Sequence, residues 1–305
     1  MNPSDYYAEQ GYVVYERLIP GAKIDAVLGA LGDFKRARLP YYSQSIHQWI
    51  RPQIDAEGFM QESMENFSQL FLDRGLSRAG EAVLLGSELH GALRELQPRF
   101  AHFVQWQNML FDRSTGTVDH YDSWYLDTLP QGFLTAAWVA LEDIDPGCGP
   151  FRVYPGSHRH FADNQLNGLP HDDFRRECAK YAASHPHKAA LLKKGDVLFW
   201  HPSLLHGALS QTDEKRSRKS LTCHYYPLGC SRKGDDDVAL AGSAARRLRR
   251  LLDYPVRHAG HPVLTVNNGY SNFMFNVLGW LSFAKSSLTR STKTHMDMRR
   301  RSYEQ

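Results

Sequence analysis

Cysteine is scarce in this chain: there are four in 305 residues, Cys148, Cys178, Cys223 and Cys230, and none stands in the paired CxxC spacing of a metal ribbon. A disulfide framework and a structural zinc module are therefore excluded, and reduced thiols are expected. Long apolar runs are absent as well, for none reaches the roughly 18 to 20 residues that a membrane-spanning helix needs. The opening Met-Asn-Pro-Ser-Asp-Tyr-Tyr has neither the basic start nor the apolar centre of a secretory leader, so a cytoplasmic protein is expected. Net charge is small too, formally +3, but it is unevenly spread. Residues 232–305 carry 13 Lys and Arg against 6 Asp and Glu, whereas residues 1–231 carry 23 against 27. With only the tail basic, the body of the chain offers no electropositive face, and no nucleic-acid partner is expected.

What is present reads as one large domain. Hydrophobic residues make up 42% of the chain, enough at this length to bury a full core. Residues 4–10 suit a short helix that Gly11 ends, and the aromatic and β-branched Tyr12-Val13-Val14-Tyr15 suits a strand. After Pro20-Gly21, the apolar Ile24, Val27, Leu28 and Leu31 recur at helical spacing. Residues 41–58 hold Trp49 but no period, and read as a loop, either packed on the surface or reaching over a pocket. Residues 61–76 (Met64, Phe67, Leu70, Phe71) and 78–96 (Val83, Leu84, Leu89, Leu93, Leu96) each read as an amphipathic helix buttressing a sheet. From Phe100 the texture changes to short apolar strands divided by turn residues, as in an antiparallel sandwich or barrel; they fall at 103–111, 133–141, 197–200 and 220–226. Residues 159–190 are polar, rich in histidine and without a steady period, an excursion out of the sheet. The expected organisation is a helical N-terminal support (1–99), a β core (100–230) containing that excursion, and a basic C-terminal extension (231–305).

Within the β core the chemistry gathers at Thr117-Val118-Asp119-His120-Tyr121-Asp122. In an extended strand alternate side chains share a face, so the imidazole of His120 and the carboxylate of Asp122 project together. That is half a metal site, and two histidines with one carboxylate form the facial set of non-haem Fe(II) oxygenases. His201 or His206, beyond the strand at 197–200, can supply the missing nitrogen. Arg216 or Arg218, at the entry to the next strand, can hold a carboxylate bidentately beside the metal.

These residues stand in an order that resembles the phytanoyl-CoA dioxygenase family of Fe(II)- and 2-oxoglutarate-dependent oxygenases. The likeness covers residues 5–226. Its pieces are an aromatic-x-x-x-Gly-Tyr-Val-Val entry at 7–14, His120-x-Asp122, Ala137-Trp138-Val139-Ala140-Leu141-Glu142, and Gly149 with Pro155-Gly156-Ser157-His158-Arg159. Gly195-Asp196-Val197-Leu198-Phe199 then leads to His206-Gly207, and Arg218-Lys219-Ser220-Leu221-Thr222-Cys223-His224-Tyr225 closes the series. The resemblance implies a mainly β fold with flanking helices, a double-stranded β-helix (jelly-roll, cupin-like) core, and a single oxygenase domain over residues 1–305. It implies Fe(II) on His120, Asp122 and His206, 2-oxoglutarate with its distal carboxylate on Arg218 and its body against Trp138, and O2 as the second cosubstrate. The implied reaction hydroxylates, or oxidises further, an unactivated C–H of a small molecule, with release of succinate and CO2. Two departures stand out. Ala208 occupies a position where the family often has Ser, which leaves Gln107 or Thr117 as substitute donors, and Leu209-Ser210-Gln211 lacks the Asn common there.

Tyr121, Trp124, Tyr125 and Arg152 are candidates to line the substrate pocket, against plain sheet packing. The substrate class stays open among lipid-like, amino-acid-derived and natural-product molecules. A reading from another class is a jelly-roll that uses the same three ligands without redox chemistry, as an isomerase or ligand sensor; it leaves Arg218 and Trp138 without a task. In the tail, basic clusters at 246–250 and 299–301 flank the apolar stretch 273–283, a pattern of either weak contact with an anionic membrane surface or a core helix with a solvated end.

Overall fold

Helix α1 (Pro3–Gln10) forms where the sequence supplies both of its ends. The Asn2 side chain accepts the Asp5 amide at 2.7 Å, and Pro3 sits in the first turn, where a missing N–H costs nothing. Gly11 closes the helix at φ +78°, its amide on the Tyr7 carbonyl. Strand β1 (Tyr12–Tyr15) and helix α2 (Gly21–Ala37) follow as expected, α2 burying Ile24, Val27, Leu31 and Phe34. The computed structural model describes residues 1–70, 72–162, 166, 168–233, 255–266 and scattered positions between 273 and 284. The basic clusters at 246–250 and 299–301, and with them the membrane contact, lie outside the described residues. Among the described residues no helix is long and apolar enough to cross a membrane.

The remaining strands are β2 (Tyr41–Ser43), β3 (Gln48–Ile50), β4 (Met64–Glu65), β5 (Phe103–Phe111), β6 (Thr128–Leu129), β7 (Thr135–Ala140), β8 (Phe151–Val153), β9 (Lys188–Ala189), β10 (Val197–Trp200), β11 (His206–Ala208), β12 (Ser220–Pro227), β13 (Ser231–Arg232), β14 (Val256–Arg257) and β15 (Leu264–Thr265). The main sheet runs β1-β10-β7-β12-β5-β4-β2-β3 in antiparallel pairs, with β15 parallel to β5. The smaller sheet is β11-β8-β9. Strand β7 shows why the two pack face to face: all six of its residues are buried, Ala137 and Val139 on one side, Ala136, Trp138 and Ala140 on the other. On the first side lie α2, α3 (Arg74–Leu84) and α4 (Ser87–Leu96), sharing one core with the sheet. On the second side Trp138, Leu198 and Trp200 meet Phe151 and Val153 of the smaller sheet.

Three expectations are corrected. Residues 61–76 are not one helix: Met64 pairs with Leu110 in β4, and Asn66 then turns left-handed at φ +52° into a short 3-10 turn, Phe67–Gln69. Met64, Phe67 and Leu70 are buried at helical spacing by a strand and a turn. Residues 78–96 form two helices, because Gly86 is extended between them. The stretch 41–58 is no structureless loop, for β2 and β3 pair there and the Tyr42 and Trp49 rings meet edge to face. The excursion at 159–190 holds the end of α5 (Ser157–Phe161) and all of α6 (His171–Ser184). Helix α6 packs through Phe174 and Cys178, with Tyr181 and Ala182 partly buried beside them, apolar positions that stand sparsely among charged neighbours.

Candidate metal centre

His120 and His206 oppose each other in a single antiparallel bridge: each amide donates to the other's carbonyl at 2.9 Å. Residues opposed in this way send their side chains to one face, and the two imidazole centroids lie 4.4 Å apart. Gly207 allows this approach, since a Cβ there would lie 2.5 Å from Asp119 Oδ1. The expected strand through His120 and Asp122 is only this bridge, because Asp122 opens a 3-10 turn, Asp122–Trp124. Tyr121 is nevertheless extended, at φ −127° and ψ 145°, so alternation holds for one step and returns Asp122 to the side of His120. Asp122 Oδ1 stands 3.6 Å from Nε2 of His120 and 3.6 Å from Nε2 of His206. One donor atom from each of the three residues lies within 4.8 Å of the others.

Each imidazole is held by its other nitrogen. Nδ1–H of His120 donates to the Val118 carbonyl and Nδ1–H of His206 to the Leu204 carbonyl, both at 2.9 Å, so each Nε2 lone pair is turned towards Asp122. The second carboxylate oxygen, Oδ2, accepts Nε1–H of Trp200 at 2.8 Å and lies 3.3 Å from His224 Nε2. Burial by itself pushes the Asp122 carboxyl up, but the imidazoles of His206 and His224 and the bond to His120 prevail and hold it well below the usual carboxylate range. Burial pulls His206 down to about 4 and keeps it neutral. Burial also pulls on His120, where the bond to Asp122 prevails and raises it. A carboxylate beside imidazoles is the state a divalent metal binds, with a proton on His120 as its competitor.

Arg218 faces this group from the other sheet, at the entry to β12, the strand that follows His206 in the chain. Its side chain is buried between the rings of Phe111 and Trp138, 5.4 and 5.7 Å from their centroids. Nη1 donates to the Gly149 carbonyl at 3.1 Å, while Nε–H has no hydrogen-bond partner among the described residues. Burial lowers the guanidinium to about 10, which leaves it cationic near neutrality. A buried cation with an unused donor calls for an anion. Arg216 lies at the surface, against Asp213 and Asp145. His201 sits apart from the triad: its Nδ1 accepts the Ser203 amide at 3.1 Å, its ring packs near Tyr7 and His158, and burial lowers it to about 3.

An inner cavity of about 80 Å³ joins the triad to Arg218, walled by Trp138, Phe111, Thr222 and His224, and also by Thr117 and Ala208. Gln107 does not line it, since its amide donates to Glu65 at 3.0 Å. An outer cavity of about 590 Å³ shares Gln44 and Thr117 with the inner one and is lined in part by Tyr125. The Tyr125 ring lies 5.9 Å from that of His120, and its hydroxyl is 2.9 Å from His171 Nε2. The other substrate candidates line neither cavity. Tyr121 is fully buried and stacked on Phe161, and Trp124 is stacked on Phe174. Arg152 donates twice to Asp119, at 2.8 and 2.7 Å, bracing the segment that leads into His120.

Sequence reasoning missed Trp200, Thr222, His224 and Gln44. The first three carried a signal: Thr222 and His224 follow Arg218 by four and six residues on one face of a strand, and Trp200 ends the strand that precedes His206. Gln44 comes from the distant connection between β2 and β3 and left no local mark.

Residues 7–220 match the family described as phytanoyl-CoA dioxygenase. The peroxisomal phytanoyl-CoA dioxygenase of Mus musculus is 29% identical over 120 residues, 36% of this chain and 33% of that protein. A phytanoyl-CoA dioxygenase domain-containing protein 1 homolog from Caenorhabditis briggsae is 22% identical over 254 residues, 72% of this chain and 88% of the relative. The match thus spans about a third of the length of the mouse enzyme. Among solved structures, the non-heme alpha ketoglutarate dependent carbocyclase SnoK from nogalamycin biosynthesis superposes with a TM-score of 0.55 at 20% identity, over 75% of this chain and 84% of that one. EctD from S. alaskensis with bound Fe gives 0.53 at 19% identity, over 74% and 76%. At such identities the likeness speaks for the fold, a jelly-roll core with helices packed outside.

Proposed function

The chain belongs to the phytanoyl-CoA dioxygenase family, and from that premise we propose that it is an Fe(II)- and 2-oxoglutarate-dependent oxygenase that hydroxylates an unactivated C–H of a small molecule, releasing succinate and CO2. One observation carries the proposal: across a single small cavity, a His-Asp-His cluster faces a buried guanidinium whose Nε–H has no partner among the described residues. The donor set suits iron, since two imidazole nitrogens and one carboxylate oxygen make the facial set and leave positions open for other ligands. His120, Asp122 and His206 would hold the metal. Arg218 would take the distal carboxylate of 2-oxoglutarate in a charge-assisted bond, with Trp138 against its body and Thr117 or Thr222 as hydroxyl donors in place of the Ser absent at Ala208. When bound, iron and 2-oxoglutarate supply the activation of O2.

The protein's own residues set the conditions for that chemistry. Trp200 and His224 hold Oδ2 of Asp122, so that Oδ1 alone is presented to the metal. Phe111, Phe151 and Trp138 give the inner cavity an apolar wall. Tyr125 stands where the outer cavity passes His120, and is the aromatic we assign to substrate contact. A cytoplasmic location belongs to the same proposal and is supported by the four free cysteines.

The alternative, a non-redox jelly-roll on the same ligands, offers no use for the buried Arg218. The test is turnover of 2-oxoglutarate. Given Fe(II), 2-oxoglutarate and O2, the purified protein should release succinate slowly even before its substrate is known, and Arg218→Ala should raise the 2-oxoglutarate concentration this requires. Tight iron binding with no succinate would favour the alternative.

A further inference from the structure

The inner cavity is about 80 Å³ and the outer one about 590 Å³, so a substrate of ordinary metabolite size has to sit in the outer cavity, over His120. Resting on the oxygenase reading of the adjoining centre, we propose that this substrate is a polar, hydrogen-bonding molecule carrying net positive charge, and not a coenzyme A thioester or a long acyl chain.

Two properties of the outer cavity lead there. The first is its want of apolar surface. Ile46, Val118 and Tyr125, with the imidazole of His171, are its only aliphatic or aromatic side chains among the described residues, so an acyl chain would leave water and bury itself largely against amides, hydroxyls and charges. The second is its charge. Of the two arginines in the wall, Arg113 is spent: Nη1 donates to Asp55 at 2.6 Å and Nη2 to Gln211 at 3.0 Å. Glu62 accepts from the Ser45 hydroxyl, so among the described residues the wall leaves the exposed Glu57 and Glu214 against Arg175. Phosphate-bearing ligands are held by clusters of arginine and lysine that match each anionic group. A coenzyme A thioester carries several such charges and, among the described residues, would meet one unspent arginine and two exposed carboxylates. An ammonium or guanidinium group meets the reverse: acceptors on the wall, and a field that raises its local concentration. The cavity and its junction with the metal centre define the site; the carboxylates define only the class of molecule it takes.

The experiment uses probes with one body and different heads: 6-aminohexan-1-ol, hexane-1,6-diol, 6-hydroxyhexanoate and the 6-hydroxyhexanoyl thioester of coenzyme A. Binding to the full chain is measured by calorimetric titration at low salt, without O2, with and without Fe(II) and 2-oxoglutarate. The ammonium probe should bind tightest and the thioester weakest. The double variant Glu57→Gln/Glu214→Gln changes two exposed side chains, so it should fold normally; it should weaken the ammonium probe about fivefold at low salt while leaving the diol unchanged. Because binding is read without turnover, loss of iron binding with the ammonium preference intact would sink the oxygenase reading alone. Absence of that preference, no binding at all included, or tighter binding of the carboxylate or the thioester, overturns the substrate class.

Discussion

Asp122 divides its work between two oxygens. Oδ1 faces both imidazoles, while Oδ2 is taken by Trp200 and approached by His224. Trp200→Phe keeps most of the packing volume but frees Oδ2, and iron affinity should fall about tenfold or more; competition against a chromogenic chelator measures it, and an unchanged affinity would remove Trp200 from the centre. Asp122→Gly would remove the proposed carboxylate ligand and its charge together, and should weaken iron binding and nearly abolish hydroxylation. On the proposed ligand set the same carboxylate would take the place a halide needs, so mass spectrometry of the product formed in high chloride should find hydroxyl and no chlorine. A chlorinated main product would contradict the role of Asp122. His201 makes a prediction about stability. Burial lowers it to about 3, whereas in the unfolded chain it titrates near 6.5, so between those values the unfolded state binds a proton that the folded state refuses. Its contribution is complete above about pH 6.5 and is lost as pH falls towards 3. Between pH 7 and 4.5, urea unfolding of the metal-free protein should show the wild type losing about 2 kcal/mol more than His201→Gln. Equal losses would mean that His201 is not held neutral.

At the scale of elements, Gly11 is where α1, β1 and the start of α5 meet. It sits at φ +78°, and a Cβ there would lie 2.4 Å from His158 Nδ1 and 2.8 Å from Leu204 Cδ1. Gly11→Ala therefore meets both an unfavourable backbone and a full neighbourhood, and should cost about 2 kcal/mol or more in urea unfolding; a variant as stable as the wild type would show that the turn relaxes freely. The elements around Gly11 were legible in the sequence because each carries its own local reason: a capping Asn, a terminating Gly, a β-branched strand. Strands β7 and β10 were legible for a related cause, since burial on both faces makes a strand a nearly continuous apolar run, and β5 and β12 through their aromatic and β-branched residues. Where partners are distant the local pattern misleads. Met64, Phe67 and Leu70 keep helical spacing, yet Met64 is captured as a strand partner between β5 and β2 and the chain turns at Asn66. Helix α6 shows the opposite failure: Phe174, Cys178, Tyr181 and Ala182 do keep helical spacing, but the polar and charged residues between them, and an N-terminus without a side-chain cap, hide it.

The candidate site is a property of the whole molecule. His120 and His206 belong to the smaller sheet, while Trp200, Arg218, Thr222 and His224 belong to the main sheet or its margin, so the inner cavity exists only where the two sheets face each other. That is why the ligand motif could be read locally whereas the residues that orient it could not. The outer cavity draws on still more remote segments: the connection between β2 and β3, the turn after β5, the start of α6 and the approach to β12. Such a surface can change without disturbing the metal ligands, which agrees with a cavity that fits a polar cation beside a centre of the family's type. The central claim, that the two sheets together assemble an iron and 2-oxoglutarate site, is tested most directly by anaerobic titration of the purified chain with Fe(II) and then 2-oxoglutarate, followed in the visible spectrum. The account predicts one Fe(II) per chain and a weak charge-transfer band on adding 2-oxoglutarate, both lost in His206→Ala and both kept in His201→Ala. No band in the wild-type protein, or a band that survives His206→Ala and disappears in His201→Ala, would contradict it.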